Sequence, residues 1–557
     1  MAVTLKTHTK VLLAMAILSV TCAGAWHLGL KDLVNGSGGD APADPGTPGT
    51  PGTPGDAKPV AKPAPSKGSG PLGGAGNPLK VSIVSWHGYA PALVANGGAL
   101  KTQKGSIFDK EGVQVEFLLQ DDIPTLVSNF EPGNAQCAWR TVDFFAQEHT
   151  GLRQNKLDGK IVLIVDNSRG SDAVVAKGDI NSIEDLAGHS VGLVQYTPSH
   201  MVLVNAVDQS LLTERKKKTV SYKFINGGVP EVRAAFASGS IDAAVLWEPD
   251  TSLALKQVAG SKVVYSTATA TNLIYDAIVC DSRVIDQNPE VIQKFVSGWL
   301  AGVDASEADK NKATDALKAT EPMFADLIKS EGPAFMDKLY AGVKWTGLAD
   351  NIRVLGLGGE PSSAESIYGQ ADKLWRDSTD LIAKDTPVIP PKEAFDLRFI
   401  QKLADANAPA KEEAKKPEFT YSAGEATKVV VGEPELTKPV SVNFPTGSAE
   451  LSKRATQTID TEMVPLMDRM GGAYFSVEGN SDAVGNAATN KTLSQQRAQA
   501  VVDYLIKQWE YPAERFKVVG NGPSKPRCDE KNPGAEQLTL DECQAANRRV
   551  DVAVFGR

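Results

Sequence analysis

Cysteine is scarce, five in 557 residues, and no two are spaced as C-x-x-C. That excludes a disulfide scaffold and a structural zinc ribbon. Basic residues are outnumbered, 58 Lys and Arg against 67 Asp and Glu, for a formal net charge of −9. The longest basic run, Lys216-Lys217-Lys218 after Arg215, reads as a solvated helix end. A nucleic-acid-binding surface needs a concentrated basic stripe and is therefore excluded. His87, His149, His189 and His200 are scattered without metal-ligand spacing. A phosphate-binding Gly-rich loop, a nucleophile elbow and H-E-x-x-H are all missing. No catalytic residue, metal ligand or cofactor site is assigned, and the chain is read as a non-enzyme. What is present is a composition 42% hydrophobic and 22% charged, which suits globular domains rather than a disordered chain or a multispan membrane protein. At roughly 100–200 residues per domain, the length implies three or four units.

The first unit, 1–34, sets the compartment. Lys6, His8 and Lys10 precede an uncharged stretch over 11–30. Twenty residues at about 1.5 Å each span roughly 30 Å, enough for one transmembrane helix, and the preceding lysines place the N-terminus in the cytoplasm. The alternative is a cleaved secretory signal, because Ala23-Gly24-Ala25 fits a small-x-small cleavage site. Both readings export the rest of the chain. Residues 35–78 repeat Gly-Thr-Pro three times and continue in Pro, Gly and Lys, a composition that cannot bury a core and acts as an extended linker.

Over 79–402, short apolar runs read as strands, at 79–85 (LKVSIVS), 113–119 (VQVEFLL), 161–165, 190–194, 220–224 and 241–246, with helical patterns between several of them. Strands alternating with helices predict an α/β fold with mostly parallel sheets, whose ligands sit beyond the carboxyl ends of strands. Trp86 and Tyr89 follow the first strand and Asp121 the second, and Trp139, Thr141 and Asp143 follow another. Tyr196, Thr197 and Ser199 lie at a helix start where Thr197 is expected to cap and Pro198 to occupy the first turn. Trp247 and Glu248 end a later strand, with Pro249 expected to hold Glu248 extended. The aromatics suggest a stacking box for a planar or cationic ligand. Asp121, Asp143 and Glu248 suit an amine, whereas Arg140 and the helix start suit an anion. Acidic groups outnumber basic ones, so the balance leans to a cationic or neutral nitrogenous solute.

The pieces FDKEGVQVEF, AWRTVDFF, VGLVQYTPSH, ASGSIDAAVLWEPD and NPEVIQKFVSGWL resemble periplasmic substrate-binding proteins of the nitrate, sulfonate, taurine and thiamine-precursor class. The resemblance implies a type 2 periplasmic-binding-protein fold, two α/β lobes closing over a small solute, with crossings near 173–176 and 276–280. Its enzyme branch, the yeast-type pyrimidine synthases, uses a cysteine-rich loop. This region has only Cys137 and Cys280, read as buried thiols that nothing in the sequence pairs.

Residues 403–435, rich in Lys, Pro and Ala, read as a second linker. Beyond it, 436–557 is an α+β unit of about β-α-β-α-β-β. Its GNSDAVGNAATNKTLSQQRAQAVVDYL and NRRV elements resemble the OmpA-like peptidoglycan-binding family closely. Asn490 and Arg497 are seven residues apart and share a helix face, with Asp482 on the loop that enters the helix. An acid and an arginine across one shallow site suit a zwitterion such as the diaminopimelate stem of peptidoglycan. The resemblance implies recognition by Asp482 and Arg497, supported by Asn490 and Arg549. Cys528 and Cys543 lie in the insertion before the last strand, and export favours a disulfide worth about 3 kcal/mol in the chain-entropy account.

The expected protein is an envelope protein of a Gram-negative bacterium, anchored in the inner membrane with its bulk in the periplasm. It captures a small molecule for an ABC importer and its permease while holding peptidoglycan. A second reading is a wall-attached structural or sensory protein whose lobes detect a ligand or protein partner. A flagellar-stator-like role would require a carboxylate inside the membrane span, and 11–30 has none.

Overall fold

The computed structural model describes residues 69–556 except 129–133, 380, 443 and 446. The anchor or signal at 11–30 and most of the first linker lie outside the described residues. Among those described, no helix is long and apolar enough to cross a membrane.

Two sheets form the lobes of 79–402. The first holds β1 (Leu79–Ile83), β2 (Val115–Leu119), β3 (Cys137–Thr141) and β4 (Gly159–Ser168). The chain then crosses to build β5 (Asp172–Ala176), β6 (Ser190–Leu193), β7 (Ser221–Phe224), β8 (Ala243–Trp247) and β9 (Lys262–Ser266). It returns to the first lobe with β10 (Tyr275–Asp281) and β11 (Val343–Trp345). The sheet orders are β11-β4-β10-β3-β1-β2 and β7-β6-β8-β5-β9. This is a two-lobed α/β fold, each lobe built on one sheet.

The sheets are mixed rather than mostly parallel. β1 runs parallel to β2 and β3, and β6 to β7 and β8, but β10 is antiparallel to β3 and β4, and β5 to β8 and β9. A strand that enters from the other lobe is threaded against its neighbours, so its amino end meets their carboxyl ends. The crossings are the segments just ahead of the expected ones, at 169–171 and 267–274, with 173–176 inside β5 and 276–280 inside β10. The same threading corrects the reading of two cysteines. Cys137 on β3 faces Cys280 on β10 in register, and they form a disulfide across 143 residues of sequence. Pairing at that separation depends on strand order, which local sequence does not contain.

The stretch 403–435 is not an extended linker throughout. It carries helices Ala408–Ala414 and Glu425–Val429. Asn407 Oδ1 caps the first by accepting from Ala410 N at 3.0 Å, Pro409 sits in its opening turn, and Lys415 pairs with Glu412 at 2.6 Å. Proline is tolerated there, and Lys–Glu spacing of three supports a helix. Glu418 then accepts from Lys344 Nζ at 2.7 Å and from Arg169 in the first crossing.

The C-terminal unit has β12 (Leu436–Val440), β13 (Tyr474–Asn480), β14 (Phe516–Gly522) and β15 (Val550–Phe555), in the order β12-β15-β13-β14. The helical stretch Lys453–Thr458 and Val464–Arg469 is interrupted by a π-helical turn at Ile459–Met463, next to Pro465, which cannot donate to the helical ladder. Helix Ala487–Trp509 lies tight on the sheet. A Cβ on Gly479 would sit 1.9 Å from Ser494 O, so only glycine lets the strand and helix approach this closely. The unit docks on the second crossing. Asn272 N donates to Arg469 O and Asn272 Nδ2 to Asp468 O, both at 2.9 Å, and Gly472 N donates to Thr271 Oγ1 at 3.1 Å.

Candidate functional site

Two constellations stand out, one between the lobes and one on the C-terminal unit. In the cleft, strand register brings acids together. Asp276 at the start of β10 is the register partner of Asp166 near the end of β4, and of Thr141 at the end of β3. Asp172, opening β5, is the partner of Trp247, closing β8. These strand ends surround a cavity of about 20 Å³ lined by Val84, Trp86, Trp139, Asp172, Pro198, Trp247 and Asp276, room for about one water. The lining contains no Lys, Arg or His.

The indoles are held by the acids. Trp86 Nε1 donates to Asp166 Oδ2 at 3.0 Å, Trp139 Nε1 donates to Asp276 Oδ1, and Tyr89 OH reaches the same oxygen at 2.9 Å. Gly88 is required, because a Cβ there would lie 1.9 Å from Asp166 Oδ2. Asp166 Oδ1 and both carboxylate oxygens of Asp143 are buried and receive no hydrogen bond of ordinary geometry. Burial, aided by neighbouring carboxylates, pushes the Asp172 carboxyl up to about 8 and Asp143 to about 7. Burial and the facing Asp276 charge hold Asp166 well above the usual range, and burial also raises Asp276 against the hydrogen bonds from Trp139 and Tyr89. Like charges in direct register, out of water, resist joint ionisation.

Of the sequence-predicted solute residues, Trp86, Trp139 and Trp247 line this cavity. Tyr89, Thr141, Asp143 and Ser199 are buried, with Tyr89 bonded to Asp276 and Thr141 in register with it. Others face elsewhere. Asp121 is exposed and accepts from Ser85 N and Oγ at 2.7 and 2.9 Å. Tyr196 opens onto a separate groove with Phe144, Leu381 and Thr386. Glu248 is not presented to the cleft but turns onto its own helix, accepting from Ser252 N at 3.1 Å and Ser252 Oγ at 2.6 Å. Thr197 occupies the N-cap position without capping, since its hydroxyl donates back to Val194 O at 2.7 Å. Arg140 is buried against Glu148, with Nη2 to Oε1 at 2.8 Å, so its charge is matched away from the cavity. Sequence reasoning missed Asp166, Asp172 and Asp276. The available signal was a carboxylate set in an apolar strand, as in IVLIVD and IYDAIVC.

On the C-terminal unit, Asp482, Asn490, Arg497, Arg548 and Arg549 all line one cavity of about 880 Å³. Asp482 Oδ2 accepts from Arg548 Nη1 at 2.6 Å. Arg497 is braced by the facing loop, with Nε to Ser448 O at 3.0 Å, Nη2 to Pro445 O at 3.2 Å, and its guanidinium 5.1 Å from the Phe444 ring centre. Asn490 Nδ2 donates to Val484 O at 2.8 Å and holds the loop that carries Asp482. Arg549 is buried and forks onto Asp551 with two bonds of 2.8 Å, leaving Nη1 without a partner. The two arginines are delivered by Asn547, which accepts from Arg527 N and Cys528 N at 2.8 and 3.0 Å and donates to Cys528 O at 2.9 Å. Cys528 is disulfide-bonded to Cys543 across this insertion. The acid thus already has a partner, Arg548, while Arg497 stands on the helix across the same cavity.

Residues 102–313 match the NMT1/THI5-like family and residues 443–538 match the OmpA family. Outer membrane protein A from Shimwellia blattae is 35% identical over 127 residues, 22% of this chain and 50% of that protein. Outer membrane protein P5 from Haemophilus influenzae is 32% identical over 147 residues, 25% of this chain and 40% of that protein. The chain therefore spans half or less of the length of these relatives. Among solved structures, the periplasmic aliphatic sulphonate binding protein SsuA from Escherichia coli is similar with a TM-score of 0.43 and 13% identity, over 57% of this chain and 91% of that one. The periplasmic nitrate-binding protein NrtA from Synechocystis PCC 6803 is similar with a TM-score of 0.35 and 16% identity, over 59% and 97%. One chain thus joins a two-lobed α/β region that matches the NMT1/THI5-like family to a C-terminal region that matches the OmpA family.

Proposed function

We propose that the protein is a periplasmic solute-binding protein that captures a small molecule for an ABC importer while its C-terminal domain grips peptidoglycan and its N-terminal segment anchors it in the inner membrane. The observation that carries the wall-binding half is the shared cavity of Asp482 and Arg497. A zwitterionic diaminopimelate centre placed there offers its ammonium to Asp482 and its carboxylate to Arg497, each a charge-assisted hydrogen bond. Arg548 is half exposed, so water can take over its guanidinium when Asp482 turns to the ammonium. Tethering at wall and membrane raises the local concentration of receptor at its transporter.

Co-sedimentation with purified peptidoglycan tests this half. Asp482→Ala or Arg497→Ala is expected to weaken pelleting by about thirtyfold or more, the usual loss when one partner of a charge-assisted pair is removed. Undiminished pelleting in both variants contradicts the assignment.

A sensory reading has one observation in its favour. The C-terminal domain bonds directly to residues 271 and 272 in a crossing between the lobes, where opening and closing of a two-lobed protein concentrates its backbone rotation. Lobe closure on solute then alters the surface on which the wall-binding domain rests. Solute-dependent peptidoglycan affinity in the full chain distinguishes this reading, because a passive tether shows none.

A further inference from the structure

We propose that the cleft, whose cavity of about 20 Å³ must widen by parting of the lobes to admit a guest, selects a small organic cation bearing N–H donors, a primary ammonium or an amidinium, seated among Trp86, Trp139 and Trp247 with Asp172 and Asp276 as its acceptors. The proposal rests on reading the cleft as the solute site, and it names the class of solute.

Three independent features converge on it. The first is the sign of the lining, two carboxylates and no base, with Arg140 outside the lining and paired to Glu148. The second is the aromatic wall. Trp86 and Trp139 spend their only donors on Asp166 and Asp276, so they present ring surface alone to a guest. Indole faces attract cations and are poor partners for anions. The third is unmet acceptor capacity. Ser199 Oγ, one residue from Pro198 of the lining, is buried without a partner, while Asp166 has only the Trp86 donor and the facing carboxyl of Asp276 for its two oxygens. Buried acceptors left unmet are rare in folded proteins and mark places where a donor is missing.

The energetics discriminate between guest classes. An anion such as a sulfonate finds no Lys, Arg or His in the lining to match its charge, and each carboxyl beside it that ionises adds repulsion in a site of low dielectric. A cation instead stabilises the ionised form of Asp172 and Asp276, and its N–H groups supply the missing donors. Without it, burial favours protonation of the cluster. Cation binding should therefore release protons, and affinity should rise with pH as the carboxyls ionise.

The test uses the full chain in a thermal-shift and calorimetric titration. The probes are ethylammonium, putrescine and methylguanidinium chlorides, set against sodium nitrate, sodium ethanesulfonate and neutral 4-aminopyrimidine-type bases. The expected result is stabilisation by at least one cation, with proton release, and no stabilisation by either anion. Asp172→Asn and Trp247→Leu are each expected to weaken that cation by about thirtyfold or more. Trp247 is half-buried at the cavity, so its variant checks the site even if the Asp172 variant folds poorly. Stabilisation by an anion or a neutral base instead overturns the cation class but retains the cleft as a solute site. A cation shift undiminished in both variants overturns the placement. No shift from any probe overturns the cation class and counts equally against the cleft as a site for solutes of this size.

Discussion

With no solute bound, the protein is expected to lose stability as pH rises from about 6.5 to about 8, and Asp172→Asn is expected to flatten that loss. An unfolded aspartate titrates near 3.9, and is ionised throughout this window. In the folded chain, burial holds Asp172 up to about 8, Glu321 to about 8 and Asp143 to about 7. The folded state therefore binds more protons than the unfolded state, and stability falls with rising pH by about 1.4 kcal/mol per unit for each fully protonated carboxyl. Below about 6.5 the slope is mixed. Burial keeps His87 near 3 and His200 near 4, so the unfolded state gains protons there as pH falls, and stability drops in that direction. Urea melts across the window read the effect. Wild-type stability that is flat or rises from about 6.5 to about 8 would contradict the buried-acid cluster. A saturating cation should restore stability most at the alkaline end, because it binds the ionised form.

The second large effect separates folding from recognition on the C-terminal unit. Arg549→Ala should destabilise that unit by about 3–5 kcal/mol, the cost of stranding a buried charge. Arg549 and Asp551 are both almost fully buried, on or beside β15, which lies between β12 and β13. Asn480 Nδ2 also bonds Asp551 at 2.9 Å and cannot replace a guanidinium. Burial raises the Asp551 carboxyl and Arg549 pulls it down, so the variant either strands a charge or protonates it. Arg549→Lys keeps a point charge but loses the fork, and should fall between. Asp482→Ala should cost far less than Arg549→Ala, since its partner Arg548 is half exposed and returns to water. Loss of peptidoglycan binding in Arg549→Ala would then report unfolding, and an unaltered melt in that variant would show that Asp551 is satisfied by other means.

The contrast between the two sites shows what a sequence carries. Asn490 and Arg497 are two turns apart on one helix, and Asp482 is eight residues before Asn490, so local periodicity places them together. The partner of Asp482 did not follow from spacing, because Arg548 reaches it from 66 residues away, through an insertion positioned by Asn547. In the cleft, Trp86, Trp139 and Trp247 were legible as residues at strand ends. Asp166, Asp172 and Asp276 were not, since the pairing of Asp166 with Asp276 spans two lobe crossings and depends on β10 inserting antiparallel between β3 and β4. The same insertion joins Cys137 to Cys280. Glu248 and Thr197 were misread for a local reason. A polar side chain at a helix start has competing backbone partners within four residues, and both took one.

Two sites on one chain make the central claim, and a single pull-down addresses both. Sacculi, the full chain and radiolabelled putrescine are mixed, sedimented and counted. Wild type should carry protein and label into the pellet together. Asp482→Ala should leave both in the supernatant, and Asp172→Asn should pellet as protein without label. Label that follows neither pattern, or protein that pellets equally with and without Asp482, would contradict a chain that holds the wall at one end and a solute in its cleft.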